Sequence, residues 1–288
     1  MILVTGANGF VGRSLMRILS QGEREVKAYA GRINDPLRLR SELEGVETVI
    51  HLCGAEAHDR VRQLDHVDVE GTERLLEESQ RAKLSRLIVL SRLNADSNSL
   101  YPLLRAKGEA ERFVRQSSTP FTILRSATLF GREDRFLNVI GGLAAWSWPF
   151  VWLPGGGLVA MQPLWVEDVA RCLVACLERP DLIGKTIEVA GEERLRYAEI
   201  VRQVLHTAQL RRLPISVSIK LIRPLSALIF GWRVWPPVTR FMMDRFSVPE
   251  VAQLDSVLRH FDFHPARMGQ RISYLRQRTL RRKLFQAQ

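Results

Sequence analysis

The run Met1-Ile2-Leu3-Val4-Thr5-Gly6-Ala7-Asn8-Gly9-Phe10-Val11-Gly12 decides the fold. An apolar stretch breaks into three glycines spaced three apart, and an amphipathic segment follows at once. That succession predicts a strand, a tight turn and the start of a helix. Gly6 permits the sharp turn, Gly9 lets the backbone approach a ligand, and Gly12 lets helix and strand pack closely. A helix starting there offers unpaired N–H groups and the positive end of its dipole, which suits a pyrophosphate. Asn8, Phe10 and Val11 complete the candidate dinucleotide cradle.

Further along, short apolar runs at 26–30, 48–52, 87–90 and 121–124 alternate with helical patterns at 11–20, 36–43, 69–82 and 103–116. Repeated units of this kind predict an α/β fold with a doubly wound parallel sheet. A helix at 166–178, a strand at 185–190 and a helix at 197–206 are expected next. We place the dinucleotide-binding domain at 1–190 and a smaller, mainly helical, basic and apolar lobe at 191–288.

Composition narrows the function classes. A hydrophobic content of 46% with 25% charged residues is that of a soluble globular protein. The net charge of +11 is unevenly placed. Residues 202–288 carry 16 Lys or Arg against four acids, a surplus of +12, whereas residues 1–201 carry 26 against 27, or −1. The C-terminal part is therefore expected to meet an anionic surface. Phospholipid, nucleic acid and an acidic protein all fit charge alone, but no nucleic-acid reading motif is present.

Within 213–246 the longest charge-free run, 224–232, is far below the roughly 20 residues of a membrane span. Leu221, Ile222, Leu225, Leu228, Ile229 and Trp232 nevertheless recur at helical spacing and make an apolar face suited to a membrane interface. The run Trp146-Ser147-Trp148-Pro149-Phe150-Val151-Trp152 predicts an exposed apolar feature that lines a cleft, caps a cofactor or docks a partner. No charged segment with a following apolar stretch precedes the first strand, so no signal peptide is expected. Cys53, Cys172 and Cys176 make neither a disulfide framework nor a metal spacing, and His51, His58 and His66 form no metal set. Cys172 and Cys176 share a helix face and are expected to be buried. Together these features predict a cytoplasmic protein, peripherally attached to a membrane.

The chain resembles the extended and atypical branches of the short-chain dehydrogenase/reductase superfamily, with their Rossmann fold, over about the first 200 residues. The resemblance rests on Thr5–Gly12, on Val49-Ile50-His51-Leu52-Cys53-Gly54 and on Val69-Glu70-Gly71-Thr72. It continues through Ser91, Lys107-Gly108-Glu109-Ala110-Glu111, Thr122-Ile123-Leu124-Arg125-Ser126 with Phe130-Gly131, and Gln162–Ala170. Within the superfamily it looks like the group that holds the nucleotide-binding accessory subunit of respiratory complex I and photosystem-assembly proteins.

The resemblance implies a Tyr four residues before a Lys as general acid, and a Ser that polarises the substrate carbonyl. The Lys tunes the Tyr and holds the nicotinamide ribose. Ser91 and Lys107 are present, but the Tyr position is Leu103, which has no proton to give. Tyr101 lies six residues before Lys107, roughly opposite on a helix, and Pro102 marks it as a pre-helix residue. Little conventional dehydrogenase turnover is therefore expected. Leu52, Cys53 and Gly54 are expected to line the cofactor. At the second strand's end stand Gly31 and Arg32, with no acid before Asp35, which favours NADP(H) over NAD(H). The resemblance sets Asp68 in the helix region near the cofactor, but it is expected here as a solvated helix acid, and His51 as a satisfied core histidine. Two readings follow: an NADP(H)-binding accessory or assembly subunit docked on a membrane redox or photosynthetic complex, or an NADP-dependent oxidoreductase or epimerase of a small or lipid-like substrate.

Overall fold

The computed structural model describes residues 1–56, 60–220 and 240–276. Numbered along the chain, β1 (Ile2–Thr5), β2 (Val26–Ala28), β3 (Thr48–His51), β4 (Arg86–Arg92), β5 (Phe121–Ser126) and β10 (Lys185–Val189) form one sheet. All neighbours run parallel, in the order β10-β5-β4-β3-β1-β2. Every residue of β1 is buried, as a strand covered on both faces requires. Ile2 is in register with Val26 on one side and Thr48 on the other. The winding therefore reverses between β1 and β3, and in open α/β sheets ligands bind beyond the carboxyl ends at such a point.

Helices α1 (Phe10–Leu19), α2 (Pro36–Leu43), α3 (Val61–Leu64), α4 (Gly71–Arg81), α5 (Pro102–Gln116) and α7 (Val166–Cys176) belong to the same unit. Asp35 caps α2 by accepting the Arg38 N–H at 3.1 Å, Pro36 supplies the first helical residue, and Leu39 and Leu43 are buried one turn apart. Before α4 the chain makes a wide π-helical turn at Asp65–Glu70, where sequence periodicity alone predicts an ordinary helix from Val69. Cys172 and Cys176 are free and buried on α7, as their spacing predicts.

The chain divides into two compact units. The sheet unit comprises Met1–Ser126, Val166–Val189 and Arg259–Asp262, and the second Ala127–Trp165, Ala190–Leu258 and Phe263–Gln288. Residues 127–165 thus fall outside the sheet unit, unlike the single cut at 190 expected above. The reason is packing: Phe130, Phe136, Leu137, Ile140 and Val151 form one core with Tyr197, Ile200 and Val204. This unit holds α6 (Leu137–Trp146), α8 (Tyr197–Ala208) and three two-stranded sheets. The sheets pair β6 (Leu129–Phe130) with β9 (Leu164–Trp165), β8 (Ala160–Met161) with β11 (Leu195–Arg196), and β7 (Phe150–Pro154) with β12 (Leu213–Val217). Among the described residues no helix is long and apolar enough to cross a membrane. The apolar face predicted at Leu221–Trp232 lies outside the described residues.

Candidate functional site

Gly6 follows β1 with φ of +70°, a conformation that L side chains rarely adopt, and a Cβ on it would stand 2.9 Å from the Leu52 carbonyl carbon. A Cβ on Gly12 would stand 2.2 Å from the Gly6 carbonyl oxygen. The turn therefore closes tightly on the chain leaving β3, and the Gly9 N–H donates to the Gly6 carbonyl at 2.9 Å. Helix α1 has Gly9 as its N-cap residue, no side-chain cap and no acid in its first turn. Its first N–H groups and positive dipole end face no competing carboxylate of their own helix, which fits a pyrophosphate. Leu52, Cys53 and Gly54 leave β3 beside this turn, and burial pushes the half-buried Cys53 thiol's pKa up.

Just after β2, the Tyr29 hydroxyl donates to the Arg32 carbonyl at 2.8 Å, burial raising its pKa to about 12, and the Arg32 side chain is exposed. Asp35, the first acid after the strand, is already engaged as the α2 cap.

Asp68 corrects an expectation. It is only 1% exposed, not solvated: one oxygen accepts the Ala55 N–H at 2.8 Å and the other lies 2.7 Å from Lys107 Nζ. The π-helical turn carries it there. Gly54 lies so close that a Cβ on it would be 3.1 Å from both charged groups. Burial lowers the Lys107 pKa, but the Asp68 carboxylate outweighs it and the net shift is upward, so Lys107 stays a cation. Beneath the pair, the Thr72 hydroxyl donates to the Asp68 carbonyl at 2.6 Å, so His51 Nε2 serves as donor to Thr72 at 3.2 Å. His51 Nδ1 then accepts from the Thr5 hydroxyl at 2.8 Å. Burial, with the Lys107 charge second, holds His51 down at about 3, a neutral and satisfied core histidine.

Ser91 lies within β4 rather than after it, and its hydroxyl donates to Glu111 at 2.6 Å. Glu111 is 1% exposed and receives a fork of bonds from Arg125, with Nη2 at 2.7 Å and Nε at 2.9 Å, as well as an ion pair from Arg115. Arg125 also donates to the Ala95 carbonyl at 2.9 Å. Leu103 is 3% exposed in α5, and Tyr101 is the residue before that helix. The structure thus brings Lys107, Gly54 and the chain next to Gly6 together, and turns Ser91 towards Glu111. Sequence reasoning missed the roles of Asp68, Glu111 and Arg125. The one available signal was spacing: Lys107 and Glu111 are four apart on α5, hence on one face.

A family model described as NAD(P)H-binding matches residues 21–142. NADH dehydrogenase [ubiquinone] 1 alpha subcomplex subunit 9, mitochondrial, of Rattus norvegicus is 27% identical over 280 residues, 88% of this chain and 73% of that protein. Ceramide reductase of Caulobacter vibrioides is 27% identical over 249 residues, 80% and 78% of the two chains. Photosystem II assembly factor Ycf39 of Synechocystis is 25% identical over 240 residues, 75% and 71%. The fold matches UDP-glucose 4-epimerase of Thermotoga maritima with a TM-score of 0.73 at 17% identity, covering 98% of this chain and 99% of that one. Residues 21–142 thus match an NAD(P)H-binding family model, and the chain has the fold of the epimerases and short-chain dehydrogenases that it matches among solved structures. Among its relatives are a complex I subunit and a photosystem II assembly factor.

Proposed function

We propose that the chain binds NADP(H) as a structural cofactor and serves as an accessory or assembly subunit that docks on a membrane-bound redox or photosynthetic complex. The observation that carries this reading is the α5 face: Leu103 stands buried where a general acid is required, Lys107 is tied to Asp68, and Ser91 is tied to Glu111. The glycine turn and Arg32 supply the dinucleotide side of the reading, and the relatives' names supply the docking side. When bound, the dinucleotide supplies hydride chemistry. Gly6–Gly12 would hold its pyrophosphate, Arg32 its adenosine end, and Lys107, with donors beyond the one aimed at Asp68, its nicotinamide ribose.

The test is nucleotide extraction from the purified protein, followed by turnover assays with NADPH. Bound NADP(H) that is not consumed, and a Tyr101→Phe variant indistinguishable from the parent, are expected. Substantial turnover abolished by that substitution overturns the reading. The ceramide reductase relative favours a second reading, an NADP-dependent reductase of a lipid-like substrate with a proton donor other than Leu103. Steady NADPH consumption with a ceramide-type ketone supports that alternative.

A further inference from the structure

One surface of the second unit gathers several exposed large apolar side chains. α6 ends at Trp146, a turn pinned by the Ser147 hydroxyl on the Phe150 carbonyl at 2.6 Å follows, and β7 runs beside β12 in parallel. The register sets Phe150 against Leu213 and Trp152 against Ile215, with Val151, the residue between, buried. Alternation therefore places four large apolar side chains on one outer face. Their exposures are 39% and 38% for Phe150 and Trp152, and 61% and 37% for Leu213 and Ile215. Trp146 and Trp148 extend the patch, at 62% and 75%.

Along the sequence, the charge of the two stretches that supply this ribbon is one-sided. From Phe136 to Val166 there is no Asp, Glu, Lys or Arg at all. From Arg202 to Met243 there are seven Lys or Arg and no acid. Arg211, just before β12, and Lys220, just after it, are exposed. Arg212 donates to the Ala144 and Ala145 carbonyls at 2.5 and 3.4 Å, fixing the ribbon to the end of α6. A protein partner would be met best by both signs of charge around an apolar centre. Tryptophans with Arg211, Arg212 and Lys220, and no acid in either stretch of sequence, match instead the headgroup layer of an anionic bilayer.

We propose that the β7–β12 ribbon, headed by Trp146 and Trp148, seats in the interface of an anionic phospholipid membrane, with Arg211 and Lys220 on the headgroups. This deepens the docking half of the proposed function and is independent of the cofactor half. Full-length protein is sedimented with vesicles of phosphatidylcholine alone and of equal parts phosphatidylcholine and phosphatidylglycerol, at low and high salt. The parent is expected on the anionic vesicles at low salt and released by high salt. Trp148→Ser with Phe150→Ser should bind about tenfold more weakly, since each ring gives up apolar burial, while its melting temperature stays close to the parent's. Should that variant fail to fold, quenching of the parent by brominated lipid, reduced in Trp148→Phe, tests the same contact. Absence of vesicle binding, or a folded double variant binding like the parent, overturns the ribbon. Attachment to native membranes without any affinity for vesicles also overturns it, in favour of a protein partner, and leaves the docking reading standing; failure of both removes the two together.

Discussion

The turn after β1 and the inner face of α5 lie in the same unit and treat their polar groups in opposite ways. The turn offers backbone N–H groups and takes no carboxylate or hydroxyl cap of its own. On α5, Lys107 is engaged by Asp68 and Glu111 by Ser91, Arg115 and Arg125. A site built from main chain keeps its recognition chemistry whatever side chains surround it, as long as glycines keep the path open. A site built from side chains is converted to structural use by a few substitutions. On the function proposed above, one sheet unit holds both outcomes.

The contrast can be broken at its strongest point by Glu111→Ala. Removing a buried carboxylate leaves Arg125 and Ser91 without their partner and should cost about 3 kcal/mol, discounted for the partial exposure of the arginines, with Glu111→Gln milder. Urea midpoints measure it; a loss below about 0.5 kcal/mol would mean that the cluster is not structural.

Gly12→Ala is next. A Cβ placed 2.2 Å from the Gly6 oxygen forces the turn apart, so about 2 kcal/mol should be lost, together with nucleotide retention. A variant that keeps both the parent's stability and its nucleotide refutes the main-chain account.

The third effect is a pH dependence. His51 is held at about 3 in the folded chain against about 6.5 unfolded, so the unfolded state takes up the proton first. Its contribution is complete above pH 6.5 and is lost as the pH falls towards 3. Measuring from pH 6.5 to 5 keeps most carboxylates ionised, and in that window stability should decline in the parent but stay flatter in His51→Leu. Parallel curves remove His51 as the cause.

The smallest effect concerns Arg32. Binding of NADPH is expected to exceed that of NADH, and Arg32→Ala should narrow the difference by about fivefold, as for one exposed charge-assisted contact. Equal affinities in the parent, unaltered by the substitution, sink the NADP(H) preference.

Elements whose burial follows a simple period were readable from the chain. The spans predicted at 36–43 and 103–116 are α2 and α5 within a residue at each end. The glycine turn was readable too, because its chemistry is local. The π-helical turn was not, since an extra residue per turn leaves no periodic mark, and it alone carries Asp68 inward. Glu111 and Arg125 were equally hidden: charged letters on helix and strand read as solvated, and only the packing of α5 against the sheet shows Glu111 buried and bonded to a partly exposed Arg125. The second unit begins at Ala127 for a similar reason, a core made of residues too far apart in sequence to declare themselves.

The interruption of the sheet unit by residues 127–165 has a consequence for biosynthesis. β10 pairs with β5, Lys185 opposite Thr122 and Val189 opposite Ser126, so the last strand is made only after the whole intervening stretch has left the ribosome. α7, whose Glu167 meets Arg17 of α1 at 2.5 Å, comes late as well. A nascent chain that has reached Trp165 holds five paired strands with the outer rim of β5 bare, a row of main-chain donors and acceptors open to any passing strand. The inserted stretch acts as a delay line, and the hazard lasts until Val189 emerges.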